Sequence, residues 1–75
     1  MKNYPRINID PNKMGGVPCI RDLRMPVATL IAMLAEGMQK EEILKEHPEL
    51  EIGDFNEALR YASEAIRFRE LPLAV

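Results

Sequence analysis

The sequence predicts a small, mainly α-helical protein with a helix-turn-helix-like tri-helical core, preceded by a short N-terminal β-hairpin or small sheet. Proline and glycine punctuate residues 1–26, whereas apolar residues recur at helical spacing in the remainder, with breaks at Gly37 and Pro48. Because the chain has only 75 residues, we expect a single domain. Residues 1–26 would form its β and turn segment, and residues 27–70 its three-helix core.

The N-terminal segment combines a strand pattern with turn signals. Polar and apolar residues alternate over residues 6–10, which is the period of a half-buried strand. Residues 10–12 predict a turn, because proline fixes its backbone and Asp and Asn bond their own main chain. Residues 17–20 predict a short edge strand, since Pro18 is tolerated only at an edge. Residues 21–23 then turn the chain back, which gives two or three strands.

The first two helices follow from apolar spacing and from signals at their ends. Apolar residues at i, i+3, i+4 and i+7 begin at Val27, directly after Pro26, and Gly37 provides a C-cap. This helix is apolar nearly all round, so we expect a partner chain to cover part of it. The second helix is predicted to start at Gln39, with Glu42 as the capping partner three residues later.

The third helix has the clearest start signal. Asp54 is predicted to be its N-cap, and Glu57 to complete the capping pattern. We expect the helix to run to about Arg69, because Pro72 prevents any continuation. Its predicted buried face consists of apolar residues at helical spacing: Phe55, Ala58, Leu59, Ala62 and Ile66.

Composition argues against catalysis, metal binding and membrane insertion. The chain has one cysteine, Cys19, and one histidine, so it cannot assemble a disulfide or a cysteine-based zinc site. Cys19 is expected to be a small buried hydrophobe. No residues are spaced as a nucleophile and its base, so we predict a non-enzyme without cofactor or metal. No segment approaches the roughly 18 apolar residues of a membrane span, and we expect a cytoplasmic protein.

Charge is distributed unevenly. Residues 1–30 carry five cations against two anions (+3), and residues 31–75 carry five cations against ten anions (−5), which gives the net charge of −2. The isoelectric point near 5.3 and the acidic start of the third helix argue against DNA recognition by that helix. If DNA is bound, cations of the N-terminal segment and of the third helix are the expected contacts: Arg6, Lys13, Arg21, Arg24 and Arg60.

Protein binding accounts for more of the sequence. The apolar first helix, the charge polarity, the five methionines and the edge strand all suit association with another chain. We expect a homodimer and a partner protein that contacts the third helix. The expected partner contacts are Met33, Glu57, Tyr61, Glu64 and Phe68.

Seven short blocks occur in a characteristic order between about residue 4 and residue 68. They are Ile9-Asp10-Pro11, Gly16-x-Pro18-x-Ile20-Arg21, Arg24-Met25-Pro26-Val27, Leu34-Ala35-Glu36-Gly37, Glu41-Glu42-Ile43-Leu44, His47-Pro48-x-Leu50 and Asp54-x-x-x-Ala58-Leu59-x-Tyr61-Ala62. In this order the blocks resemble the family catalogued as domain of unknown function 433.

The resemblance implies a β-containing segment before a helix-turn-helix-like core. It also implies an antitoxin-like role, as the partner of a small PIN-like ribonuclease in prokaryotic toxin–antitoxin pairs. Our first hypothesis is therefore a non-catalytic, antitoxin-like binding module. The alternatives are a DNA-binding regulator, including one that represses its own operon, and a purely structural oligomer.

Overall fold

The computed structural model describes residues 3–68 and shows a small sheet followed by three helices. The sheet pairs β1 (Ile7–Asn8) with β2 (Cys19–Ile20), and the helices are α1 (Val27–Ala35), α2 (Lys40–Glu46) and α3 (Ile52–Phe68). The protein is thus mainly α with a small N-terminal hairpin, which confirms the predicted fold class. The predicted end of the third helix near Arg69 and Pro72 lies outside the described residues.

The hairpin is shorter than the alternation predicts. Its strands are antiparallel, with Ile7 opposite Ile20, and each has only two residues. The connection begins with the predicted turn, in which the Asn12 backbone N–H donates to an Asp10 carboxylate oxygen at 2.9 Å. A single 3₁₀ turn, Met14–Gly16, carries the chain to β2. Residues 9–10 and 17–18, predicted as strand, therefore lie outside the strands.

Every main element contributes to one apolar core. Leu30 of α1, Ile43 of α2 and Phe55 of α3 are fully buried, and the hairpin adds Ile7 and Ile20 from its two strands. The hairpin is therefore part of the core. Because two-residue strands contribute few hydrogen bonds of their own, the position of the hairpin depends on contacts with the helices.

Helix ends near α2 lie where the sequence predicts them. Gly37 adopts a positive φ of 92° after α1, and the Met38 backbone N–H donates to the Met33 carbonyl at 3.2 Å. At the start of α2, the Gln39 backbone N–H donates to a carboxylate oxygen of Glu42 at 3.0 Å. These local signals correctly separate α1 from α2.

The predicted start of the third helix is wrong by one turn. Because α3 begins at Ile52, Asp54 is the third residue of the helix and not its N-cap. Its carboxylate accepts a hydrogen bond from the backbone N–H of Glu51 at 2.8 Å, which is how a residue at this position supports a helix start. The predicted role of Glu57 is also wrong, since its carboxylate accepts a hydrogen bond from the Arg6 backbone N–H.

The predicted buried face of α3 is correct only in part. Phe55 and Ala58 are fully buried, but Leu59 is 42% exposed and Ile66 is 61% exposed. Within residues 3–68, α1 and α2 cover one side of α3 and leave these two apolar side chains open. The C-terminal half of α3 therefore presents apolar surface to the outside.

Candidate functional site

A buried carboxylate fastens the hairpin to α3. The Asp54 side chain is 0% exposed and accepts hydrogen bonds from Arg6 Nη1 at 3.0 Å and from Arg21 Nε and Nη2 at 3.1 and 2.9 Å. A Cβ atom on Gly53 would lie 2.9 Å from Arg6 Cζ, so glycine at this position leaves room for the guanidinium beside α3. Two arginines from the hairpin region thus converge on one helix residue.

The charge of Asp54 is stabilised despite its burial. Burial alone raises the pKa of this carboxyl, but hydrogen bonds from Arg21, from the Glu51 backbone and from Arg6 lower it. The net pKa of Asp54 lies below its ordinary value, so the carboxylate is ionised at neutral pH. Removing either side of such a pair leaves an uncompensated charge, which makes Asp54 a structural anchor.

Three of the five cations predicted to contact DNA are engaged within the chain. Arg6 also pairs with Glu51 at 2.7 Å, and Arg21 donates to the Glu49 carbonyl at 2.7 Å. The guanidinium of Arg60 lies 4.7 Å from the ring centre of Tyr4. These three arginines therefore have fewer donors to offer to phosphates.

The other two predicted cations are placed differently. Arg24 is exposed and Lys13 is half-buried. Neither makes an ion pair with any residue between positions 3 and 68. The structure thus brings together Arg6 and Arg21 at Asp54, while Lys13 and Arg24 stay outside this cluster.

An open apolar groove runs between α1 and the C-terminal half of α3. Its volume is about 620 Å³. Residues before and after the turn at residues 21–23, namely Val17, Pro18 and Pro26, also contribute to its lining. No charged residue lines it, and four of the lining residues are alanines, whose small side chains create the depression. The lining residues are Val17, Pro18, Pro26, Val27, Ala28, Ile31, Ala32, Tyr61, Ala62, Ala65 and Ile66.

A smaller pocket of about 220 Å³ adjoins this groove and combines aromatic rings with one carboxylate. Tyr4, Tyr61, Glu64, Ala65 and Phe68 line it, so the pocket shares Tyr61 and Ala65 with the groove. The Tyr4 and Tyr61 rings are perpendicular, with their centroids 5.3 Å apart. We call this second depression the aromatic–acidic pocket.

The hydroxyl of Tyr4 is buried at the aromatic–acidic pocket. Hydrogen bonding to the neighbouring Glu64 carboxylate, followed by burial, raises the pKa of Tyr4 above its ordinary value. The geometry of this contact is looser than that of an ordinary hydrogen bond. A phenol oxygen that donates its proton can still accept a hydrogen bond from a ligand.

Three of the five residues predicted to contact a partner protein meet at this pocket, namely Tyr61, Glu64 and Phe68. Phe68 is 82% exposed. The other two lie elsewhere. Met33 packs partly against the core, and the side chain of Glu57 is only 11% exposed.

Tyr4 and the groove alanines are not among the predicted partner contacts, and Ala62 is predicted only as part of the buried face of α3. Tyr4 comes 57 positions before Tyr61 in the chain, so no local spacing signals their contact. The spacing of the alanines does indicate a shared surface. Ala28 and Ala32 are four residues apart and Ala62 and Ala65 three apart, which places each pair on one helix face.

Within the described residues, no cluster of three or more His, Cys, Asp or Glu side chains has a metal-binding arrangement. No helix in this part of the chain is long and apolar enough to cross a membrane.

The fold and the site define this chain as a small, mainly α protein in which a buried aspartate fastens an N-terminal hairpin to the third helix. The chain belongs to the family described as protein of unknown function (DUF433), whose model matches residues 7–62. It also matches the crystal structure of a DUF433 member protein from Anabaena variabilis, with 33% identity and a TM-score of 0.76. The match covers 84% of this chain and 62% of that one. The comparison with curated proteins found no match.

Proposed function

We propose that this protein is a non-catalytic binding module that holds an amphipathic helix of a partner protein in the groove between α1 and α3. The observation that carries this proposal is the uncharged groove itself, which is open, is lined in part by exposed Ile66 and adjoins the pocket of exposed Phe68. Contiguous exposed apolar surface of this kind marks interaction sites, and helices commonly bind in such grooves.

Charge complementarity indicates what kind of helix fits. The groove lining is apolar, and Glu64 of the adjoining aromatic–acidic pocket has no ion-pair partner among residues 3–68. A partner helix with one apolar face and a cation beside it would satisfy both features. The resemblance noted above supplies a candidate with which to test this, namely a small PIN-like ribonuclease, and makes the module antitoxin-like.

DNA binding is the weaker alternative. Arg6 and Arg21 neutralise Asp54, and Arg60 stacks on Tyr4, so these three cations are used for folding. Lys13 and Arg24 are the remaining candidates, and two cations provide little counterion release. A DNA complex therefore explains neither the groove nor the pocket.

Mixing the protein with a small PIN-like ribonuclease from the same genome is expected to give one complex of defined stoichiometry. The physical reason is that apolar surface on α1 and α3 becomes covered when the partner helix binds. Size-exclusion chromatography with light scattering measures the mass directly, and a ribonuclease assay on the same fractions shows whether the bound enzyme is inhibited. If the two proteins elute separately at micromolar concentration, the proposal fails.

A further inference from the structure

The carboxylate of Glu64 lies in the aromatic–acidic pocket without a cation. Arg60, one turn earlier on α3, would be the natural partner, but its guanidinium lies over Tyr4 and 3.6 Å from a Glu57 carboxylate oxygen. No ion pair of Glu64 occurs in the part of the chain from position 3 to position 68. A carboxylate beside aromatic rings is partly desolvated. The electrostatic attraction between it and a cation is therefore stronger there than between two ions in open water.

The surroundings of Glu64 suit a guanidinium in particular. The rings of Tyr4 and Tyr61 stand at 88° to each other, and Phe68 adds a third aromatic side chain to the same pocket. Aromatic faces attract cations, and the planar guanidinium also stacks on them. Its five N–H groups can donate to the Glu64 carboxylate and to the Tyr4 hydroxyl oxygen together. A pocket of about 220 Å³ has room for such a group, whereas one water takes up about 30 Å³.

We propose that the aromatic–acidic pocket receives an arginine side chain of the partner protein. This assignment rests on the proposed function, because Tyr61 and Ala65 line both depressions and one helix can fill them together. The apolar face of that helix lies along the α1–α3 groove, and its arginine reaches Glu64 in the C-terminal half of α3. The partner is thus specified as an amphipathic helix with an arginine beside its apolar stripe.

Glu64→Gln is expected to weaken the complex with the ribonuclease about tenfold or more, because it removes the charge but keeps the shape of the side chain. Calorimetric titration at two salt concentrations measures this loss. The variant should also have a smaller salt dependence than the wild type, since it has one ion pair fewer. Glu46→Gln is the matched control, because Glu46 is an exposed acid on α2, away from both depressions, and should bind as the wild type does.

The protein alone provides a second test, which needs no partner protein. Ethylguanidinium is the probe, and NMR signals of the Tyr4 and Tyr61 rings are followed during its titration. We expect these signals to shift in the wild type and in Glu46→Gln, and to stay fixed in Glu64→Gln. Thermal unfolding of each variant verifies that the fold is intact.

The outcomes separate this inference from the proposed function. Tight ribonuclease binding by both wild type and Glu64→Gln, with no response to ethylguanidinium, would overturn the arginine pocket and leave the groove proposal standing. A response to ethylguanidinium without any ribonuclease binding would support the pocket and overturn the proposed partner. A homodimer that dissociates in Glu64→Gln would assign the arginine to a second copy of this chain and overturn its assignment to a partner protein.

Discussion

Replacing Asp54 with alanine is expected to lower the free energy of unfolding by about 3–5 kcal/mol, because Arg6 and Arg21 lose the buried carboxylate that both of them bind. Small domains have total stabilities near the lower end of about 5–15 kcal/mol, so this variant should be largely unfolded at room temperature or close to it. Urea unfolding followed by far-UV circular dichroism measures the loss.

Glu51→Ala is the matched control for Asp54→Ala. Glu51 also pairs with Arg6, at 2.7 Å, but its side chain is 58% exposed. Exposed pairs contribute only about 0–1 kcal/mol, so this variant should remain folded. If both variants lost the same free energy of unfolding, burial of Asp54 would not be the reason that its ion pairs stabilise the fold.

Acidification provides an independent check on Asp54. Its pKa is lower in the folded chain than the ordinary value of 3.8, so the folded state binds this proton less readily than the unfolded state. The stabilisation is therefore complete above the ordinary value and is lost as the pH falls through the folded value. The difference between wild type and Asp54→Ala should therefore hold from neutral pH down to about the ordinary value, and it should shrink only as the pH falls further, through the folded value. A difference that does not shrink in this acidic range would contradict the ionised anchor.

Ala32→Arg is expected to weaken binding of the ribonuclease about a hundredfold, which corresponds to about 2.8 kcal/mol. Ala32 is exposed and lines the groove, so a long cationic side chain there occupies the space of the partner helix and brings a like charge to a basic partner. Calorimetric titration measures the affinity. Because Ala32 is exposed on α1, the substitution should leave the fold intact.

Ala35→Arg is the control for this variant. Ala35 is the last residue of α1 and is also exposed, but it does not line the groove. The same substitution at this position should leave the affinity within a factor of about two of the wild type, as is usual for surface changes away from an interface. If both variants lowered the affinity for the ribonuclease to a similar extent, the loss would come from the added charge and not from a blocked groove.

The sequence predicts the helices because their signals are local. Apolar spacing, Gly37 and the Gln39–Glu42 capping pattern lie within each helix or at its ends, and the structure confirms α1 and α2 near the predicted bounds. The start of α3 was missed because an Asp followed by a Glu three residues later satisfies the N-cap pattern equally well. Asp54 is instead bound by arginines 48 and 33 residues away, and local spacing does not reveal such distant pairs.

The candidate site was predictable to a smaller extent. Helical spacing predicts that Leu59 and Ile66 lie on the buried face of α3, but both are exposed, because spacing along one helix does not show how much of its apolar face the other helices cover. Likewise, the sequence shows Arg6 and Arg21 as cations without showing that Asp54 neutralises both. The sequence predicts Tyr61, Glu64 and Phe68 as partner contacts, and the structure places these three residues in one pocket with Tyr4.

The most direct test of the groove is an amide NMR map of the isotope-labelled protein in complex with the unlabelled ribonuclease. We expect the largest shifts on α1 near Ala28 and Ala32 and on α3 near Tyr61 and Ala65, with little change on α2. Shifts concentrated around Lys13 and Arg24 instead, with the groove unchanged, would rule out the groove and place the partner on the basic N-terminal segment.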